Sequence, residues 1–391
     1  MYDAIVIGAG PIGSYIALNL ANRGYNVAVL ERHSAIGTGV CCTGIVGTEC
    51  FHKFPLSGTD IFYKGSTCNV FTPSGQLLRL EKESTQAYVI NRPGLDCNLA
   101  SQAQAEGADY LLSTKVRNVY RVDHRVRAEV EVKNRSYDID GKVVIVSNGF
   151  GFSLPRRMGM GQVGDYVFGA QVEVEAKEVK EVEVYLGREI APGFFAWVVP
   201  ASSGSVLVGL LSRNKPAFYI KKLLSKLIIA GKIKQQDAKI NFGGIPLKPL
   251  PRTFDDRIVV VGDAAGQVKP TTGGGIYYGL LSAEIAVDVI HRGLCVDDLS
   301  ARFLRQYESG WKRLLARDLQ IGYWARRVYE RFNDESIDRI IEQVRCNGMH
   351  KSLLNSDDFS FDWHSPSIIQ IVRDKELRKL VWSAARSLLP F

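Results

Sequence analysis

Two segments of this chain carry the residue types that hold a dinucleotide. In the stretch 257–276, RIVVVGDAAGQVKPTTGGGI, a short apolar run leads into Gly262, Asp263 and Ala264, and then into Pro270, Gly273-Gly274-Gly275 and Ile276. Open α/β sheets bind ligands at the carboxyl ends of their strands, and an Asp at that place can accept hydrogen bonds from ribityl or phosphate-linked hydroxyls. The three glycines let a backbone approach closely, and the helix they open presents its positive end to a pyrophosphate or to the electron-rich edge of a reduced flavin. Near the start, the strand residues 4–7 run into Gly8-x-Gly10-Pro11-Ile12-Gly13. Gly8 allows the tight turn, Gly10 the approach of a pyrophosphate, and Gly13 the close packing of helix on sheet. Glu31, at the end of the next strand, is placed to accept from a ribose, with Arg32 beside it. Two nucleotide-handling segments so far apart point to FAD.

The elements around these motifs read as a βαβ unit with a second, antiparallel layer. Residues 2–7 form a strand, 11–23 a helix with Ile12, Ile16 and Leu20 on one side, and 27–30 the next strand. Short alternating runs broken by turns fill 60–90 and 170–211, the pattern of half-buried antiparallel strands. Between them, 91–107 reads as a loop and helix, strands follow to 139, and 142–146 is a separate buried strand. The expected fold is α/β (α+β overall): a Rossmann-like FAD-binding domain over 1–59, 91–165 and 245–299, an antiparallel-sheet substrate domain over 60–90 and 166–244, and a helical region over 300–391. The two alternating blocks are expected to form one sheet.

Composition narrows the class. The 391 residues are 46% hydrophobic, enough for a sizeable core, yet no apolar run reaches the ~18–20 residues of a spanning helix. The chain opens directly on a strand, so a cytoplasmic protein without a signal peptide is expected. Seven cysteines without CxxC spacing argue against a disulfide framework and a zinc site, and the six scattered histidines offer no ligand pair or triad, so no metal is expected. A net charge of +8, half of it within 300–391, favours phosphates or an anionic bilayer surface. Nucleic acid is excluded for want of a basic block interleaved with aromatics. Residues 377–391 have a basic amphipathic pattern that either docks on the protein's own core or lies on lipid.

The opening GAGPIG, the segment GDAAGQVKPTTGGGI and Cys41-Cys42-Thr43-Gly44 together resemble the geranylgeranyl reductase family of flavoproteins, within the p-hydroxybenzoate hydroxylase superfamily. The resemblance covers roughly 1–300. It implies reduction of C=C bonds in an isoprenoid lipid: a hydride from the flavin N5 to one carbon and a proton to the other, in a dry apolar slot. One of Cys41 and Cys42 then corresponds to the family's active-site cysteine, and the spacing leaves open which. Arg92 is either an FAD phosphate or adenosine ligand or a solvated arginine. Asn148-Gly149 stands where the superfamily has Asp-Gly, and Val116 joins the cofactor-binding set. Phe195-x-Trp197-x-x-Pro200 followed by Gly209-x-Leu211 matches the lipid-cavity motif except that Leu211 replaces its last glycine. Substrate contacts are expected from Phe194, Phe195, Trp197, Pro200 and Gly209, with plain core packing as the equal alternative for Trp197. Tyr277 is expected at the reactive face, with 270–272 shaping the wall beside it. The electron donor is either NAD(P)H or a ferredoxin. A monooxygenase or halogenase on the same fold and a non-catalytic prenyl carrier are the other classes. No Trp-x-Trp-x-Ile run is present to support a halogenase, and intact flavin segments count against a carrier.

Overall fold

The computed structural model describes residues 1–391 except 57, 152, 178, 203, 235, 236, 357, 358, 376 and 380–391. The amphipathic pattern expected over 377–391 therefore lies mostly outside the described residues.

Strand Tyr2–Ile7 sits in the middle of a parallel sheet because its inner residues are apolar on both faces. Ala4 and Val6 pack to one side with Ile16, and Ile5 and Ile7 pack to the other, all fully or almost fully buried. It pairs in parallel with Val27–Leu30 and with Arg135–Val146, which in turn pairs in parallel with Ile258–Val260. Asp109–Leu111 adds a parallel edge beside Val27–Leu30. Contrary to the expected break before 142, Arg135–Val146 is one continuous strand of 12 residues. Its first half pairs antiparallel with Arg125–Val132, and its second half enters the parallel sheet. The polar, exposed 135–138 and the all-apolar 143–146 look like two strands because one strand passes from an exposed hairpin into a sheet buried on both faces.

Helices Pro11–Ala21, Arg92–Ala105, Ile276–Cys295 and Ala301–Tyr329 cover one face of this sheet. The hairpin 115–132 and residues around Leu154, Met158 and Met160 cover the other.

A second sheet of seven strands runs in the order 241–246, 166–175, 205–212, 195–200, 182–186, 67–71, 77–81. Residues 67–71 and 77–81 thus join the later alternating block, through a parallel pairing of Thr67–Phe71 with Val182–Leu186. Ile61–Gly65 and Ala87–Ile90 do not: with Ile45–Gly47 they form a separate three-stranded sheet. Asn241–Pro246 lies in the seven-stranded sheet, so that sheet extends past residue 244.

Period-two alternation divides the central strands of this sheet into two faces. Ala170, Val172, Ala196, Val198, Val206, Val208 and Leu210 pack under helix Pro216–Ile229 through Ile220, Leu223 and Leu227. Gln171, Trp197, Gly209 and Leu211 are therefore left on the opposite face, which meets the flavin-binding half.

Candidate active site

The two nucleotide-handling segments converge on one cradle. Gly8 has φ +104°, and a Cβ there would lie 2.7 Å from the Ser147 carbonyl oxygen. A Cβ on Gly13 would overlap the Gly8 carbonyl, whereas one on Gly10 would meet nothing within 4 Å. The turn is thus closed by two glycines and open to a ligand at the third. Ile12 fills the notch between the helices: Cβ atoms on Gly262 and Gly279 would come within 3.2 and 2.6 Å of its side chain. This brings the N-termini of Pro11–Ala21 and Ile276–Cys295 together. Neither first turn is capped by a side chain, although Asn91, Ser300 and Asn333 cap the helices that they precede. Free N–H groups at two adjoining helix starts are donors for phosphate oxygens.

Asp263 follows strand Ile258–Val260 at the mouth of this cradle. Among the described residues its carboxylate takes no hydrogen-bond donor, and burial pushes its pKa up to about 6 although Arg92 opposes the rise. A largely buried carboxylate in want of donors fits the hydroxyls of FAD. A Cβ on Gly275 would collide with its Oδ1, so the absence of a side chain there keeps the carboxylate accessible. Glu31 closes the other end. Its Oε2 accepts from the Ala9 N–H at 3.0 Å and its Oε1 from the His33 N–H at 2.9 Å. The Glu31 carbonyl accepts from Thr114, two residues before Val116, so Val116 lies near that end.

Several expected cofactor residues have other commitments. Arg92 is not solvated: it is largely buried and forks onto Asp96 at 3.2 and 2.8 Å, while also facing Cys42 and Asp263. Ala264 turns its side chain into the core on the far side of the sheet. Arg32 and Asn148 are exposed, and Gly149 has a positive φ with open space around it. Thr43 donates to Gln171 Oε1 at 2.6 Å, and Ile276 packs against the main core.

Loop 41–44 joins the cradle to the second sheet. Gly44 has φ +73°, and a Cβ would overlap the Ile90 carbonyl, so the chain can pass here only as glycine. Cys42 Sγ accepts from the Gly44 N–H at 3.4 Å and lies beside Arg92. Cys41 reaches the other way, with Sγ 3.6 Å from the Asn241 carbonyl and in contact range of Gly243. Burial, with Cys42 second, pushes the Cys41 thiol up to about 11. With Thr43 bound to Gln171, the loop spans from Arg92 to the face of the sheet that carries Trp197.

On that face Phe194, Val167, Leu211 and Leu247 form a small apolar cluster, flanked by Trp197, Ile245 and Tyr323. Gly209 is the seat of the Trp197 indole: the two pair in register, and a Cβ on Gly209 would overlap the ring. Gly273 abuts the same cluster, since its Cβ would lie 3.0 Å from Ile245 and 3.3 Å from Leu211. Leu211 therefore fills space directly against the flavin loop. Phe195 is half-buried with its ring 5.9 Å from that of Trp197, and Pro200 lies at the far end of the strand, paired with Val206. Gly209→Val is expected to expel the indole and lower stability by about 1–3 kcal/mol, the usual cost of overpacking, and an unchanged denaturant midpoint would contradict this.

Tyr277 does not face loop 41–44 as a free hydroxyl. It donates to Glu49, which also accepts from Trp363 Nε1 at 3.0 Å, and its ring packs on Phe54 and Trp363. Burial and this carboxylate push its pKa well above the usual phenol range. The segment 361–364, which no pattern in the sequence had marked, closes over the flavin loop. Lys269 forms a sealed ion pair with Asp362 at 3.0 Å, and Thr271 shares a hydrogen bond with His364. A Cβ on Gly322 would lie 3.3 Å from Pro270, so helix Ala301–Tyr329 passes tightly over the same wall.

Fold and cradle together define a flavoprotein of the FAD-binding Rossmann type. A family model described as lycopene cyclase protein matches residues 3–343. A digeranylgeranylglycerophospholipid reductase of Methanosphaerula palustris is 30% identical over 90% of this chain and 92% of its own. One from Methanothermobacter thermautotrophicus is 29% identical over 95% and 99%. Among solved structures, a geranylgeranyl bacteriochlorophyll reductase-like protein from Thermoplasma acidophilum shares the fold, with TM-score 0.84, 24% identity and 99% coverage of both chains. A halogenase solved with FAD shares it at TM-score 0.68 and 13% identity, covering 100% of this chain and 93% of its own. The chain belongs to the geranylgeranyl reductase family.

Proposed function

We propose that this protein is an FAD-dependent reductase of the C=C bonds of a geranylgeranyl-type lipid. The observation that carries the reading is loop 41–44, which links the flavin cradle through Arg92 and Cys42 to the apolar face of Trp197 and Leu211. Reduced FAD supplies the hydride equivalent. The protein's part is to bind the isoprenoid by burial, at ~0.8 kcal/mol per CH₂, to keep water out, and to hold a proton donor at the second carbon. Cys42 is that donor in this reading. Its Sγ lies on the Arg92 and Asp263 side of the loop, whereas Cys41 is turned to the Asn241 carbonyl.

FAD-loaded protein, reduced anaerobically with dithionite and mixed with a geranylgeranyl lipid, is expected to recover flavin absorbance near ~450 nm while the lipid gains two hydrogens per bond. Reoxidation that requires oxygen and inserts it would overturn the reading in favour of a monooxygenase. Cys42→Ser is expected to slow the lipid-dependent step by ~10²-fold or more, the usual scale of a lost proton donor, with a much smaller loss in Cys41→Ser. The reverse order would reassign the donor.

We place the protein on the cytoplasmic side, drawing its lipid from a membrane surface and its electrons from NAD(P)H or a ferredoxin. No helix among the described residues is long and apolar enough to cross a membrane. The +8 charge supports attraction to anionic bilayers. Co-sedimentation with phosphatidylserine vesicles that fails at low salt would remove the surface association.

A further inference from the structure

The segment 323–330 at the end of helix Ala301–Tyr329 holds a buried cation that the fold leaves short of hydrogen-bond acceptors. Arg326 is 4% exposed, with one face of its guanidinium on the ring of Phe194. Its Nε and one terminal nitrogen have no hydrogen-bond partner among the described residues; the nearest carboxylate oxygen, Glu330 Oε1, stands 3.6 Å from Nε. The neighbouring acids are already engaged. Arg213 binds Asp165 at 2.6 Å and Glu330 at 2.8 Å, Tyr323 donates to Asp165 at 2.9 Å, and Arg327 lies 3.7 Å from Asp165. Three guanidinium groups thus face two carboxylates, and Arg326 carries the excess.

A buried, unsatisfied cation is costly, and burial drives its pKa down from the usual arginine value. Its surroundings show what would repay that cost. Phe194 belongs to the apolar cluster whose other end, Leu211 and Ile245, touches Gly273 of the flavin loop. An apolar path that starts at the flavin loop therefore ends at the unpaired N–H donors of one guanidinium.

We infer that Arg326 is the anion-recognition residue of the substrate slot, binding phosphoryl oxygens of an isoprenoid phosphate. The guanidinium fork suits a phosphoryl group, and the apolar path suits the chain attached to it. The inference rests on the isoprenoid reading above and adds the group at the polar end.

Calorimetric titration of the FAD-loaded full chain with geranylgeranyl diphosphate, geranylgeraniol and inorganic pyrophosphate tests it, comparing wild type with Arg326→Met and Arg326→Lys. Wild type is expected to prefer the diphosphate over the alcohol by ~10- to 100-fold, the scale of a charged hydrogen bond. Arg326→Met should bring the two ligands within about twofold, and Arg326→Lys should restore part of the preference. Arg326→Met should also melt at or above the wild-type temperature, since it removes an uncompensated buried charge. A diphosphate preference that survives in Arg326→Met overturns the inference, as does a clear fall in its melting temperature, which would make Arg326 a structural partner of Glu330. Pyrophosphate binding as tight as that of the lipid diphosphate would assign the site to free phosphate instead. Failure of the reduced enzyme to reduce either isoprenoid would remove the reductase reading alone, because the binding ratios are read without turnover.

Discussion

Asp263→Ala is expected to weaken FAD binding by ~10- to 100-fold, the cost of losing a charged hydrogen-bond acceptor at the end of a strand. The flavin-free protein should respond in the opposite direction. The Asp263 carboxyl has its pKa raised to about 6 by burial, against ~3.9 for an unfolded chain. Folding therefore favours its protonated form, and the stability of the flavin-free protein falls as pH rises from ~4 through ~6. At pH ~7.5 the ionised group costs on the order of 2–3 kcal/mol, which Asp263→Asn removes. The flavin-free Asp263→Asn variant should thus unfold at higher denaturant than wild type at that pH, with the difference vanishing near pH ~4. Unchanged flavin retention in Asp263→Ala, or a pH-independent stability difference in Asp263→Asn, would refute the assignment. Hydroxyl donors from a bound FAD would then offset the burial of the charge.

Asp362→Ala should be strongly destabilising although it lies outside the cradle. Lys269 and Asp362 have side chains 6% and 3% exposed, and Asp362 also accepts from the Cys50 N–H at 3.4 Å. Removing one member of such a pair leaves a buried charge without its counterion, at a cost of about 3–5 kcal/mol. Lys269 keeps the Phe361 carbonyl at 3.3 Å and the ring faces of Tyr277 and Tyr278, which cannot replace a carboxylate. A Lys269→Met/Asp362→Leu double variant should recover most of the loss, because apolar residues of similar volume tolerate the same enclosure. Denaturant midpoints of the two variants against wild type measure it, and a loss below about 1 kcal/mol in Asp362→Ala would show the pair to be solvated. Since Lys269 leads into the flavin loop, the single variant should also release FAD more readily.

The legible parts of this protein are those whose partners lie close in sequence or whose chemistry dictates residue type. Gly8, Gly13 and Gly44 occupy places where a Cβ would strike backbone, and Asp263 ends an apolar strand, so pattern alone locates them. Trp197 and Gly209 fall together because their strands are consecutive and antiparallel. What pattern misses depends on distant pairings: Tyr277 with Glu49, Lys269 with Asp362, Thr43 with Gln171 and Arg326 with Phe194. Glutamate, aspartate and arginine in polar-looking stretches read as solvated faces until the fold buries them. The continuity of Arg135–Val146 is hidden for a related reason, since a strand that passes from a hairpin into a parallel sheet changes its periodicity without a turn.

Because Thr67–Phe71 pairs in parallel with Val182–Leu186, the whole of the intervening chain must be made before that ladder can form. The parallel sheet likewise waits for Ile258–Val260, and Lys269 waits for Asp362. Such non-local closure slows folding and exposes unpaired strand edges while the chain is incomplete. The early strands 67–71 and 77–81 should therefore stay open to chaperone capture or misassembly during synthesis until residue 186 has been made.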